Sequence, residues 1–224
     1  MKLFLIQNYI QTIYRLFTNP RDFFSQLPEN PHYTGPLTFA LVTHWIGTSI
    51  GYLWALVFGN HIYLTLHEWM NKSGFYEMNS EWWMQKGQAW IKAWMMSAGS
   101  VIIDPFTTLF KIVIASAVIF MGARVFITPD STGKPQVDFP SALQIICYGM
   151  APSLLLAIPF AGSFFSDLGS FIVTLIGVKT IYRAETSRAL VITLFPQFIA
   201  LFLILIFSFM IFFALAQFVA LQSF

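Results

Sequence analysis

The sequence predicts an all-α integral membrane protein: five transmembrane helices with added N-terminal and interfacial amphipathic helices. Three observations carry that expectation. Only 10% of the 224 residues are charged while 57% are hydrophobic, and an average soluble domain is about 25% charged. The apolar residues come in long runs, several of which can cross a hydrocarbon core about 30 Å thick. Tryptophan, which favours the membrane–water boundary, concentrates in one polar connection between two such runs.

Composition also excludes some function classes. The net charge is +2 with no basic stripe, so no nucleic-acid partner is expected. Cys147 is the single cysteine and cannot form an internal disulfide. Met1–Phe17 is broken by Gln7, Asn8, Gln11, Thr12 and Arg15, unlike the apolar core of a signal peptide. No Gly-rich phosphate loop, HExxH, CxxC or Ser–His–Asp spacing occurs, so no catalytic residue and no cofactor is expected.

Residues 1–34 are expected to form a cytoplasmic amphipathic N-terminal segment. Leu3, Ile6, Ile10, Ile13 and Phe17 recur at helical spacing with Gln7, Gln11 and Arg15 opposite. Such a helix lies in the headgroup plane or packs on the bundle end. Asn19 or Thr18 caps a second, short helix with Pro20 in its first turn and Asp22 near its positive end. That helix should stop before Pro28.

Residues 35–224 are expected to form the membrane domain. Its first span, 35–59, opens with Gly35-Pro36 and carries no formal charge. It is read as the packing centre of the bundle. Thr43, Gly47 and Gly51 line one face, where small side chains let another backbone approach, and Gly169 lies on a similar small face of span four. His44 sits at mid-depth, read as an interhelical hydrogen bonder or a proton carrier. The segment from Asn60 to Ser97 mixes His61, His67, Glu68 and several Lys and Glu with five tryptophans. An interfacial helix leading into span two is expected there. His61, His67 and Glu68 match no established metal-ligand spacing.

The remaining spans are placed at about 98–127, 141–160, 164–182 and 189–219. Span two carries Asp104-Pro105 and Lys111, and span three carries Pro152 and Pro159, expected to bend it. A charge at membrane depth needs a partner or water. Lys111, Asp104, His44 and Asp167 are therefore the candidates for a polar path in a small transporter or channel, against a purely structural pairing. The connections on the N-terminal side hold eight Lys and Arg (Lys2, Arg15, Arg21, Arg124, Lys134, Lys179, Arg183, Arg188), those on the other side three (Lys72, Lys86, Lys92). That bias predicts a cytoplasmic N-terminus and a C-terminus on the opposite side.

Several motifs then coincide: Asn19-Pro20-Arg21-Asp22-Phe23-Phe24; Tyr33-Thr34-Gly35-Pro36-Leu37; Tyr148-Gly149-Met150-Ala151-Pro152; and Lys179–Leu190 followed by Phe195-Pro196. Together they resemble the Yip (Ypt-interacting protein) family in its compact prokaryotic form, over nearly the whole chain. Tyr33, Gly35 and Pro36 resemble the Asp-Leu-Tyr-Gly-Pro signature of eukaryotic members, which His32-Tyr33-Thr34 interrupts here. The resemblance implies five spans, a cytoplasmic N-terminus, a prokaryotic inner-membrane location and a non-enzymatic role. Eukaryotic relatives are linked to Rab-type GTPases and vesicle traffic. The implied activity is membrane organisation, or binding of a partner in the membrane. The expected partners are the lipid bilayer and either another protein or a second copy of the chain.

Overall fold

A computed structural model describes the backbone of residues 2–28, 33–72, 82–127 and 137–222, and side chains from residue 8 to 213 except 55–98 and 100 within those ranges. Every regular element among them is helical. They are α1 (Lys2–Thr18), α2 (Pro20–Ser25), α3 (Thr34–Lys72), α4 (Trp82–Phe126), α5 (Phe139–Gly149), a 3-10 helix (Ala151–Ala157), α6 (Gly162–Ile181) and α7 (Thr186–Gln222). Among the described residues, four segments are long and apolar enough to cross a membrane: Val101–Phe126, Phe139–Ala157, Gly162–Ile181 and Thr186–Phe213.

The local signals account for several boundaries. Asn19 caps α2 by accepting from the Asp22 amide, and the helix ends at Ser25. Asp138 caps α5 through the Ser141 amide at 2.8 Å. Two helices overrun their expected ends. α3 does not stop at Gly59 but continues to Lys72, and α4 runs unbroken from Trp82 into span two. Loss of hydropathy marks where a helix leaves lipid, not where its backbone bonding stops, and no proline intervenes at either point. The interfacial role expected for the tryptophan-rich residues lies outside the described side chains.

Span three differs most from expectation. Instead of one bent helix over 141–160, it is an α-helix followed by a 3-10 helix. Pro152 lacks the N–H that would bond the Tyr148 carbonyl, so α-helical bonding stops there. The tighter helix rises faster. Eleven residues at about 1.5 Å and seven at about 2.0 Å together span roughly 30 Å, about one hydrocarbon core. Phe160, with φ of 65°, turns the chain back into α6.

This divided segment, not span one, is the packing centre. The burial within the protein is 56% for Phe139–Ala157 and 11% for Thr186–Phe213. Carbonyls freed where α-helical bonding is interrupted at membrane depth must be covered by protein, and α3 and α6 cover the 3-10 helix from two sides. Thr43, Gly47 and Gly51 therefore do not face the small side of span four as expected. A Cβ on Gly47 would overlap the Ser153 carbonyl, and one on Gly51 would lie 3.0 Å from the Leu156 oxygen. From the other side, a Cβ on Gly169 would lie 2.7 Å from Pro152 Cβ. Both small faces close on the element between them.

Three apolar clusters fill the bundle. One joins α4 to α7 through Ile119, Ala123, Ile145, Val178 and Ile192. Another joins α1 and α2 to the bundle through Leu16, Phe23, Phe24, Phe39 and Val173. The third is Ala40, Ile112, Leu143 and Cys147. Among the described side chains of α7 the buried positions are Ala189, Ile192 and Thr193, near its start. From Leu201 to Phe213 every residue is exposed and nearly all are apolar, the pattern of a helix bathed in lipid.

Candidate functional site

Polar groups inside the bundle concentrate where α3 crosses α4. His44 Nε2 lies 3.5 Å from Asp104 Oδ1. Thr48 Oγ1 is 2.9 Å from Asp104 Oδ2 and 2.9 Å from the His44 carbonyl. One helical turn separates His44 from Thr48, so both face the same carboxylate. Beside them, Pro105 removes the N–H that would bond the carbonyl four residues earlier, that of Val101. The Trp45 indole donates to that carbonyl at 3.2 Å. The proline thus frees an acceptor and α3 supplies its donor.

Of the four residues expected on a polar path, the structure brings together His44 and Asp104. Lys111 is exposed two turns along α4, and Asp167 is exposed near the start of α6. Two further residues belong to the seam. Trp45 was identifiable only by asking what satisfies the carbonyl freed by Pro105. Thr108, one turn beyond Asp104, is fully buried, and no partner is found for its hydroxyl. Among the described residues no three His, Cys, Asp or Glu side chains gather as a metal site. The side chains of His61, His67 and Glu68 lie outside the described residues.

The second polar and aromatic assembly docks the N-terminal helices. Thr43 is buried, bonds the Phe39 carbonyl at 2.6 Å, and meets the Tyr9 hydroxyl of α1 at 2.9 Å. Tyr148 stacks edge-on to Phe23, with centroids 4.9 Å apart, and tilts against Phe39 at 5.3 Å. Gly149 packs on Thr174, Pro152 on Gly169, and Phe24 on Gly177. The Asn19–Phe24 and Tyr148–Pro152 motifs, far apart in sequence, therefore meet around one aromatic cluster. The family model of the Yip1 domain matches residues 14–219. The chain belongs to the Yip1 domain family. No curated protein and no solved structure matches it.

Within this Yip1 domain the motif residues have distinct structural uses. Tyr148, Gly149 and Pro152 break span three and present its bend to α2, α3 and α6. Pro36 is buried in the first turn of α3, while Tyr33 is half exposed and Gly35 has open space around it. Tyr182, which caps α6, is buried with its hydroxyl 3.5 Å from the Asp138 carbonyl. Burial first, and then the Asp138 charge, push its phenol above the usual tyrosine range.

α1 presents two adjacent apolar faces. Leu16 is buried, and Tyr9 and Ile13 pack against the same cluster. Ile10, Tyr14 and Phe17, about a quarter of a turn further round, are 59%, 67% and 47% exposed. Asn8, Gln11 and Thr18 occupy the remaining side. The sequence left headgroup placement and packing on the bundle as alternatives. One face of α1 packs on the bundle while its neighbour remains open. Around the same end lie Arg15, whose guanidinium sits 5.7 Å over Phe23, and exposed Arg21, Arg124, Lys179, Arg183 and Arg188. Lys179 donates to Thr186 Oγ1 at 2.7 Å.

Proposed function

We propose that this Yip1 domain protein is a non-enzymatic organiser of the membrane, acting through α1 as a wedge in the leaflet on its cationic side. The carrying observation is the open stripe of Ile10, Tyr14 and Phe17 beside a face anchored to the bundle. A free amphipathic helix dissociates and reinserts. This one is tethered by Leu16 and by the Tyr9–Thr43 hydrogen bond, so its depth is set by the transmembrane helices. Apolar side chains inserted at the headgroup boundary expand one leaflet relative to the other. The cations around the same end favour anionic headgroups.

The test is reconstitution into vesicles containing anionic lipid, comparing the protein with Ile10→Ser/Tyr14→Ser/Phe17→Ser. The native protein is expected to drive vesicles toward smaller radii or tubules in proportion to its density, and the triple variant is expected to lose most of that effect while inserting normally. Equal remodelling by both would refute the wedge.

The same reading makes α3 a fifth span. Its exposed side chains Val42, Trp45, Ile46, Ile50 and Leu53 are apolar, as lipid contact requires. With five crossings and the cationic connections facing the cytoplasm, the C-terminus lies on the opposite side. A cysteine placed at Ser223, in a chain whose Cys147 is replaced by alanine, is expected to react with a membrane-impermeant reagent from the non-cytoplasmic side alone. Reaction from the cytoplasmic side would require an even number of crossings.

A further inference from the structure

His44 and Asp104 are 16% and 11% exposed and belong to different helices. An ionised carboxylate at membrane depth costs a few kcal/mol unless compensated. Around Asp104 the compensation is sparse. Thr48 satisfies Oδ2, which leaves Oδ1 to His44. A hydroxyl supplies a dipole but no charge. Two protons on the pair leave an unneutralised imidazolium, and none leaves an unneutralised carboxylate. One proton makes the pair neutral overall, either as carboxylic acid with imidazole or as carboxylate with imidazolium.

A second observation points to an occupant beside the pair. No hydrogen-bond partner is found for buried His44 Nδ1 or Thr108 Oγ1. Thr43, Thr48, Ser116 and Thr193 each bond the carbonyl four residues back, as hydroxyls in helices commonly do. Thr108 does not, although it is fully buried. α3 and α4 run in opposite senses, with His44 at Asp104 and Ala40 in the cluster of Ile112. Thr108 thus lies level with the turn of α3 between Ala40 and His44. A polar atom buried without a partner in hydrocarbon is costly, and water can donate to one of these atoms and accept from or donate to the other.

Of the other charged groups, Lys111 of α4 is exposed, about 10 Å along the helix from Asp104, and its positive charge acts on His44 more weakly than the Asp104 carboxylate does. α5 contributes Cys147, held in an apolar cluster, and Tyr148, held among aromatic rings. The 3-10 helix contributes none, and Tyr9 of α1 is engaged with Thr43.

We propose that His44 and Asp104 form a one-proton binding site at the α3–α4 seam, completed by a water held between His44 Nδ1 and the Thr108 hydroxyl. Asp104 immediately precedes Pro105, so the proton ties α3 to α4 beside the proline of α4.

The full-length protein in lipid nanodiscs at neutral pH provides the test, with imidazole nitrogen NMR and carboxyl infrared spectroscopy. His44→Gln and Asp104→Asn assign the signals. Both keep hydrogen-bonding capacity, and size-exclusion chromatography of the solubilised variants checks that they fold. The native protein is expected to show one proton on the pair, as an imidazolium or as a protonated carboxyl. In Asp104→Asn the His44 ring is expected to be neutral, and in His44→Gln the Asp104 group is expected to be the acid. Exchange between His44 nitrogen-bound protons and a bound water should be visible natively and lost in Thr108→Val. An ionised carboxylate beside a neutral imidazole in the native protein, or signals of each residue unmoved by replacing the other, would overturn the shared proton. A dry His44 ring, or a water signal unaffected by Thr108→Val, would overturn the bridging water.

Discussion

Gly47→Val is expected to be the most damaging single substitution within the membrane bundle. A Cβ at that position overlaps the Ser153 carbonyl, a backbone group that cannot rotate aside. Relief requires α3 to move away from the 3-10 helix. Overpacking of a tight core costs about 1–3 kcal/mol. Here the loss should reach or exceed the top of that range, because separation also uncovers 3-10 backbone at membrane depth. Thermal unfolding of the detergent-solubilised protein, followed by size-exclusion chromatography, should show little folded material. Gly35→Ala, at a site with open space around it, should stay within about 0.5 kcal/mol of native. A Gly47→Val protein as stable as the native one would mean that α3 does not approach the 3-10 helix this closely.

Phe24→Ala is the second. Phe24 is 2% exposed and reaches Gly177 of α6, whose missing side chain makes room for the ring. Removing a buried phenylalanine side chain typically costs about 3–5 kcal/mol. The loss should be partly local, because α2 is short and Phe23 and Phe24 are the side chains it buries. Limited proteolysis should cut near Arg21 at lower protease concentration than in the native protein, alongside a fall in unfolding temperature. Phe164→Ala, at an exposed position, serves as the comparison and should change neither. Native-like protease resistance in Phe24→Ala would contradict the docking of α2 onto α6.

The two substitutions illustrate different degrees of legibility in the sequence. The caps of α2 are local chemistry. Asn19, Pro20 and Asp22 act within one helical turn, so reading them needs no knowledge of the bundle. The Gly47/Gly51 face was visible as a stripe of small residues, but its partner was not. In water, a helix reveals its buried face by the contrast between apolar and polar sides. In lipid both sides are apolar, so the pattern of α3 or α6 does not say which neighbour each side meets. Thr108 shows the same limit for polar residues. Thr107 and Thr108 are adjacent and chemically alike, yet Thr107 is exposed and bonds the Asp104 carbonyl while Thr108 is fully buried.

The sequence by itself determined that the chain is helical and membrane-embedded, where most of its apolar segments begin and end, and which family motifs it carries. Each follows from composition, hydropathy or bonding within a turn, all local along the chain. Only the tertiary structure decided that the divided third span lies between the two small-residue faces, and that His44 meets Asp104 while Lys111 and Asp167 occupy exposed positions. It also decided that α1 anchors one apolar face and leaves the next open. These depend on how each helix is rotated about its axis and on which carbonyl a proline has freed. Helices in a membrane are rotated by packing and by unsatisfied polar groups, because the hydrophobic effect hardly distinguishes lipid from a neighbouring helix.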